Sequence, residues 1–204
     1  MNYKIKNINL LLIVFLISNF FYKVSLSNEE NIKTIIEGVN FPTHIEKNDF
    51  INKNSIFVLE HRPGKIIEIK NYASKPETNQ NPILNIESLI TENENWEQGL
   101  NGYTFSPNFK NDNYIFVSYN NKNNQIVLSK FKYDPKLKSA PLSSEVKILE
   151  INRFFDDQED KPEHNCGTVA FNPIDNYLYF CIFIDQNFNT IVFHYSLYSS
   201  NNTT

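Results

Sequence analysis

Apolar positions in this chain come in short bursts rather than at helical spacing. The recurring unit is a run of four to eight β-branched or aromatic residues closed off by Asn, Asp, Pro or Gly, the pattern of a strand between polar turns. Strands are predicted near Ile32–Glu37, Ser55–Glu60, Lys65–Lys70, Gly102–Phe105, Tyr114–Tyr119, Gln125–Tyr133, Glu145–Ile151, Thr168–Phe171, Tyr177–Phe183 and Thr190–Tyr195. Ile83–Leu89 reads as either a weak strand or a turn. Short strands at this spacing, with helical periodicity scarce, predict an all-β protein.

The bursts also repeat as a group. Phe105-Ser-Pro107 is followed by Asp112-Asn-Tyr-Ile-Phe-Val117, and Phe171-Asn-Pro173 by Asp175-Asn-Tyr-Leu-Tyr-Phe180. A fainter copy runs from Phe41-Pro42 to Asn54-Ser-Ile-Phe-Val58, so the leading phenylalanines stand 64 and 66 residues apart. Each unit strings together an apolar strand, a Pro-containing turn and a second apolar strand, with room for two more before the next unit. Four strands per repeat is the pattern of a propeller blade. Propellers close with about four to eight blades, and a repeat of this length leaves room for fewer than three. The expectation is therefore a partial, truncated β-propeller of four-stranded antiparallel blades: a fragment, a truncated gene product, or one half of an assembly.

The N-terminus breaks the pattern. Lys4 and Lys6 precede the apolar run Leu10 to Ile17, and Ser25 and Ser27 stand at −3 and −1 of a cut before Asn28. That order is a secretory signal over residues 1–27. The alternative is an uncleaved anchor, although the apolar core is about half the roughly 20 residues a spanning helix needs. A periplasmic or secreted location follows. Export permits a disulfide between the two cysteines, Cys166 and Cys181, which lie in two hairpin-like arms; strand register decides between a bridge and two buried thiols. With 19 basic against 23 acidic residues there is no cationic excess to neutralise a polynucleotide backbone, so nucleic acid is excluded as a partner. The run Asp156, Asp157, Glu159, Asp160 reads as a solvated loop rather than a calcium surface, and no residue is assigned as a metal ligand.

Four segments in order carry a resemblance. Gly38-Val-Asn-Phe-Pro-Thr-His44 with Ile56-Phe-Val-Leu-Glu-His-Arg-Pro-Gly-Lys-Ile66 looks like an opening blade. Trp96-Glu-Gln-Gly-Leu-Asn-Gly-Tyr-Thr-Phe-Ser-Pro-Asn-Phe109 is similar to a G-E-Q-G-L-L-G-x-x-F-x-P-x-F element. Ser144-Glu145 and the apolar Val146 to Ile151 match the strand before an active-site loop. Glu163-His-Asn-Cys-Gly-Thr-Val-Ala-Phe-Asn-Pro173 resembles H-N-G-G-x-L-x-F-x-P. Together they resemble the soluble glucose/sorbosone dehydrogenase family, whose propeller is shared by hedgehog-interacting proteins. The match covers roughly Gly38 to Asn187, so residues 28–189 read as two to three N-terminal blades and residues 190–204 as an unmatched tail.

The resemblance implies a six-bladed intact propeller, bound pyrroloquinoline quinone and calcium, and oxidation of a small sugar. It places the general base at His164 and the carboxylate that orients it at Glu163. Glu97 or Gln98 falls at the position that hydrogen-bonds the quinone, with His164 also at the cofactor. A neutral imidazole suits proton abstraction from a sugar hydroxyl, and an adjacent carboxylate holds the ring and stabilises the imidazolium. His44, His61 and His194 are read as structural or exposed. Three departures stand out. Ile184-Asp-Gln-Asn187 replaces a G-D-x-G, Cys166 stands where glycine is usual, and the family's basic quinone clamp falls beyond Thr204. Arg62, Lys65 and Arg153 are the nearby cations, none matched to that role, which predicts weak quinone retention by this chain. Two functions follow: an exported sugar-dehydrogenase-like oxidoreductase in its N-terminal portion, or a non-catalytic propeller-type module binding protein or glycan. The missing half of the propeller, or a second copy of the chain, completes the list of partners.

Overall fold

In a computed structural model of the chain, residues 33–90, 98–152, 167–183 and 190–196 are described. The signal-like residues 1–27 and the acidic run at 156–160 lie outside them. The apolar run in Ser55-Ile-Phe-Val-Leu-Glu60 forms a strand, and Lys65–Lys70 pairs back on it after a four-residue turn containing Pro63 and Gly64. With the preceding Pro42–Glu46 (β1), these strands (β2 and β3) and the two-residue Glu77–Thr78 (β4) make a sheet in chain order. A further short strand, Leu84–Asn85 (β5), also pairs with β3.

The second sheet repeats the plan with Leu100–Phe105 (β6), Tyr114–Asn120 (β7), Ile126–Lys132 (β8) and Val146–Ile151 (β9). The third contains Val169–Phe171 (β10), Leu178–Phe183 (β11) and Thr190–Tyr195 (β12). All neighbours within these three sheets are antiparallel. The third sheet thus continues through residues read in sequence as a tail.

The apolar runs are explained by two cores. Phe57, Leu59 and Ile66 of the first sheet pack on Ile115, Val117, Tyr119, Val127 and Phe131 of the second. On its other face the second sheet offers Phe116, Ile126 and Leu128 to Val169, Leu178, Phe180 and Ile182 of the third. A sheet buried on both faces needs apolar side chains at successive positions, which is why Ile115-Phe-Val117 shows no alternation. The first strands come together as well, β6 touching both β1 and β10. Sheets stacked face to face, with first strands converging, are successive propeller blades.

The repeat holds atom by atom in the second and third sheets. Phe105 pairs with Ile115 as Phe171 pairs with Leu178. Asn113 and Asn176 both adopt a left-handed φ, 56° and 57°. Asp112 Oδ1 accepts the Tyr114 N–H at 3.0 Å, and Asp175 Oδ1 accepts the Tyr177 N–H at 2.8 Å. The longer spacing in the second sheet accommodates a helical turn, Phe109–Asp112 (α1), absent from the prediction because four residues carry no periodicity.

Two expectations fail at the start of the chain. The described part of Ile32–Glu37, residues 33–37, forms no strand and is largely exposed: with neither a pairing partner nor a buried face, β propensity alone does not hold an extended segment in place. The true first strand, β1, was missed because its single aliphatic residue, Ile45, points to solvent. The fainter repeat copy is also out of phase. Glu46 pairs with Phe57 as Thr104 pairs with Phe116, so the counterpart of Phe105 is Lys47 and not Phe41.

Candidate functional site

The loop entering β6 is shaped by what it lacks. A Cβ on Gly99 would stand 2.5 Å from the His61 carbonyl oxygen, and φ there is +155°. With no side chain in the way, Leu100 N donates to His61 O at 2.9 Å, and His61 Nδ1 donates to Leu100 O at 2.9 Å. That pair ties the β2–β3 turn to the start of β6. The β7–β8 turn joins them, since Asn120 N donates to Gly99 O at 3.0 Å and Asn101 Nδ2 to Asn120 Oδ1 at 2.8 Å.

A second close approach brings in the loop before β10. A Cβ on Gly102 would meet Gly167 O at 2.3 Å, and one on Gly167 would meet Asn101 Cβ at 2.3 Å and Ser118 Oγ at 2.7 Å. Glycine is required where backbones approach this closely. The described residues that meet here lie close in sequence to the predicted site residues: Gly102 is four residues past Gln98, and Gly167 three past His164.

Gln98 directly precedes Gly99 in this rim. It is 2% exposed, and neither its Nε2 nor its Oε1 has a hydrogen-bond partner. Ser118 Oγ, beneath Gly167, is buried without a partner as well. An unmade hydrogen bond on a buried polar group costs about 1–3 kcal/mol, so such groups mark a strained or ligand-directed place. Of the predicted site residues, Gln98 is in the rim, whereas Glu97, Glu163 and His164 lie outside the described residues. So do Arg153, Cys166 and Asp185. Cys181 is disulfide-bonded.

Sequence reasoning missed Asn101, Asn120, Ser118 and the part played by His61. Asparagine is too abundant for any one to stand out, and His61 reaches Leu100 across 39 positions. Of the nearby cations, Lys65 is paired with Glu87 at 3.1 Å and Arg62 lies over the Phe41 ring at 4.6 Å. Behind the rim, Tyr119 donates to Glu145 Oε1 at 2.6 Å, and Ser129 Oγ donates to the same oxygen at 2.8 Å. Burial first, then the bond to Glu145, pushes the Tyr119 phenol above the ordinary tyrosine range. Among the described residues no three His, Cys, Asp or Glu side chains cluster as a metal site. No helix there is long and apolar enough to cross a membrane.

The family model for glucose/sorbosone dehydrogenase matches residues 41–188. The chain belongs to the glucose/sorbosone dehydrogenase family. Solved structures agree on the fold. The PQQ-bound form of aldose sugar dehydrogenase from Streptomyces coelicolor aligns with TM-score 0.56 at 17% identity, covering 74% of this chain and 40% of that one. An oxidoreductase from Thermus thermophilus, described as a glucose dehydrogenase, gives 0.56 at 16%, with 74% and 39% covered. A further glucose dehydrogenase gives 0.55 at 14%, with 76% and 41% covered. The chain thus spans about two fifths of the solved structures it matches. No curated protein matches it in sequence. The all-β, partial propeller architecture is that of a dehydrogenase-family propeller.

Proposed function

We propose that the glycine-lined rim is the N-terminal portion of a quinone-dependent sugar dehydrogenase site. The observation that carries this reading is Gln98, a buried amide whose donor and acceptor are both unused, next in sequence to Gly99 of the close-packed rim. An amide presenting both functions suits the carbonyl and ring edge of a planar quinone, so in this respect pyrroloquinoline quinone fits. When bound, that group supplies a two-electron acceptor. The rest is the protein's own work. Gln98 fixes the orientation of the cofactor, and Glu97 lies beside it as the alternative contact. His164 takes the proton from the sugar hydroxyl, and Glu163 holds the imidazole and stabilises the imidazolium. Gly99 and Gly102 keep the floor free of side chains. The fit is incomplete on the charge side, because Lys65 is already paired with Glu87 and Arg62 is stacked on Phe41. A tricarboxylate therefore finds little cationic compensation among the described residues, and no three His, Cys, Asp or Glu side chains cluster there to hold calcium.

The substrate is a small aldose, and the compartment is periplasmic or secretory on the strength of the signal-like N-terminus. The test is titration of the purified chain with pyrroloquinoline quinone and calcium, followed by dye-linked oxidation of aldoses. Gln98→Leu is expected to weaken quinone binding about tenfold, a lost hydrogen-bond pair of about 1.4 kcal/mol. His164→Asn should abolish turnover and leave quinone binding in place. Quinone bound equally by the wild type and Gln98→Leu would remove the role of Gln98. A folded protein that takes up neither quinone nor sugar would leave the non-catalytic binding module as the function.

A further inference from the structure

We propose that the cavity at the far ends of the first strands is a second binding site, and that its ligand is a small organic ammonium ion with an apolar body. The cavity, about 640 Å³, opens where β1, β6 and β10 end. The length of β6 separates it from the Gln98 rim, about 17 Å of extended chain, so the two do not overlap. Its volume falls in the range of small-molecule pockets, about 300–1,000 Å³.

Strand register builds its polar wall. Glu46, Thr104 and Ala170 occupy one level of the three first strands, pairing respectively with Phe57, Phe116 and Tyr179. At that level the blades present a carboxylate, a hydroxyl and a methyl. Glu46 Oε1 accepts from Thr104 Oγ1 at 3.2 Å and from the Phe105 N–H at 3.4 Å. Its other oxygen, Oε2, is buried with no hydrogen bond, and His44 Nε2 stands 3.8 Å away. The other carboxylate on the wall, Asp49, already has Lys47 at 3.2 Å. One negative group is therefore fixed in orientation on one side, and on the other it has the His44 ring nearby but no hydrogen bond.

The lining also includes the apolar side chains of Phe105, Phe109, Val169, Phe171 and Phe50. Phe50 is 63% exposed, an aromatic face open to a ligand. An ammonium group satisfies the Glu46 carboxylate, its hydrocarbon body covers the phenylalanines, and the aromatic faces add a cation–π contribution. An anion would meet Glu46 as a like charge. A neutral polyol would leave the carboxylate unmatched and the phenylalanines facing hydroxyls.

The experiment uses the full 204-residue chain and three probes of similar shape at neutral pH: phenethylammonium, neutral 2-phenylethanol and anionic 3-phenylpropionate, each followed by calorimetric titration. Phenethylammonium is expected to bind one site at least tenfold more tightly than the alcohol, with no heat from the anion. Glu46→Gln should lower the amine affinity to that of the alcohol. Should that variant not fold, Ala170→Trp fills the cavity from the β10 side without touching the bonds of Glu46, and is expected to block amine and alcohol alike. Equal affinity for amine and alcohol, amine binding undiminished in Ala170→Trp, or no saturable binding overturns the proposal. None of these readouts involves quinone or sugar oxidation, so it stands or falls apart from the dehydrogenase reading.

Discussion

The two ends of the first strands are built by opposite means. At the rim end, backbones press together because Gly99, Gly102 and Gly167 have no side chain, and the contacts join residues far apart in sequence. At the far end, apart from the contacts of Glu46 with Thr104 and Phe105, side chains fold back on their own turns. Asp112 and Asp175 each cap the N–H two residues on, and Ser106 Oγ and Asn172 Nδ2 donate to their second oxygens at 2.6 and 3.0 Å. The first end tolerates no added atom, while the second depends on one functional group in a solvated turn. A site that must hold its loops in one place gains from the first kind of construction. A turn that need only reverse the chain is served by the second.

The strongest way to break this contrast is Gly102→Ala. Its Cβ would fall 2.3 Å from a backbone oxygen, which no side-chain rotation relieves. Overpacking against backbone is expected to cost at least about 3 kcal/mol in urea-induced unfolding. Gly38→Ala is the control, because a Cβ there meets nothing within 4 Å and φ is +80°, leaving only local strain of about 1 kcal/mol. Equal losses in the two variants would mean that the rim relaxes and is not sterically determined.

Between the two ends, Tyr103 seams the first two sheets by donating to Phe57 O at 2.6 Å. Its ring meets Phe105 edge-on at 5.6 Å. Tyr103→Phe keeps the ring and removes the bond, for an expected loss of about 1–2 kcal/mol, smaller than at Gly102 and read from the same denaturation curves. A loss as large as that of Gly102→Ala would place the decisive constraint in the seam and not at the rim.

The same contrast decides what could be read from sequence. The Asx turns are local, so their residues recur as Asp-Asn-Tyr and the second and third blades were legible with Phe105 and Phe171 in equivalent places. β2, β3 and β12 carry dense β-branched or aromatic runs, and their limits agree with the prediction. β1 was not legible because Pro42-Thr-His-Ile-Glu46 owes its place to pairing with β2 and to the Glu46–Thr104 contact, not to an apolar face. At the rim, Gln98 was indicated by the family resemblance. The meeting of Gly102 with Gly167 spans 65 positions, and nothing local announces it. The orphaned hydroxyl of Ser118 lies inside an apolar run whose signal is entirely that of a strand.

Proton linkage separates the ends in a further way. Tyr119, which pairs with Leu100 beside the rim, has its phenol raised by burial and then by the bond to Glu145. The folded state favours the protonated phenol. Its contribution is therefore whole below the ordinary tyrosine value of 10.0 and is lost as pH climbs above it. Urea midpoints measured from about pH 8 to 11 should fall on the alkaline side for the wild type and flatten in Tyr119→Phe. An unchanged alkaline slope in the variant would assign the titration elsewhere.

The smallest expected effect is at the far end, on Asp175. Its carboxyl is held below the usual value of 3.8, first by the Tyr177 N–H and then by donation from the Tyr179 hydroxyl and the Asn172 amide. Here the sign is reversed, because the folded state favours the ionised group. The contribution is present above about pH 4 and is lost as pH falls through the lowered folded value. Asp175→Asn should therefore shift the neutral midpoint only slightly, since the turn is open to water, and should shrink the acid limb of the stability curve. Gly102→Ala, by contrast, should lower the whole curve without changing its shape. Were Asp175→Asn to displace the neutral midpoint as far as Gly102→Ala does, the two ends would share one kind of constraint, and the division between a sterically fixed rim and a locally fastened base would fail.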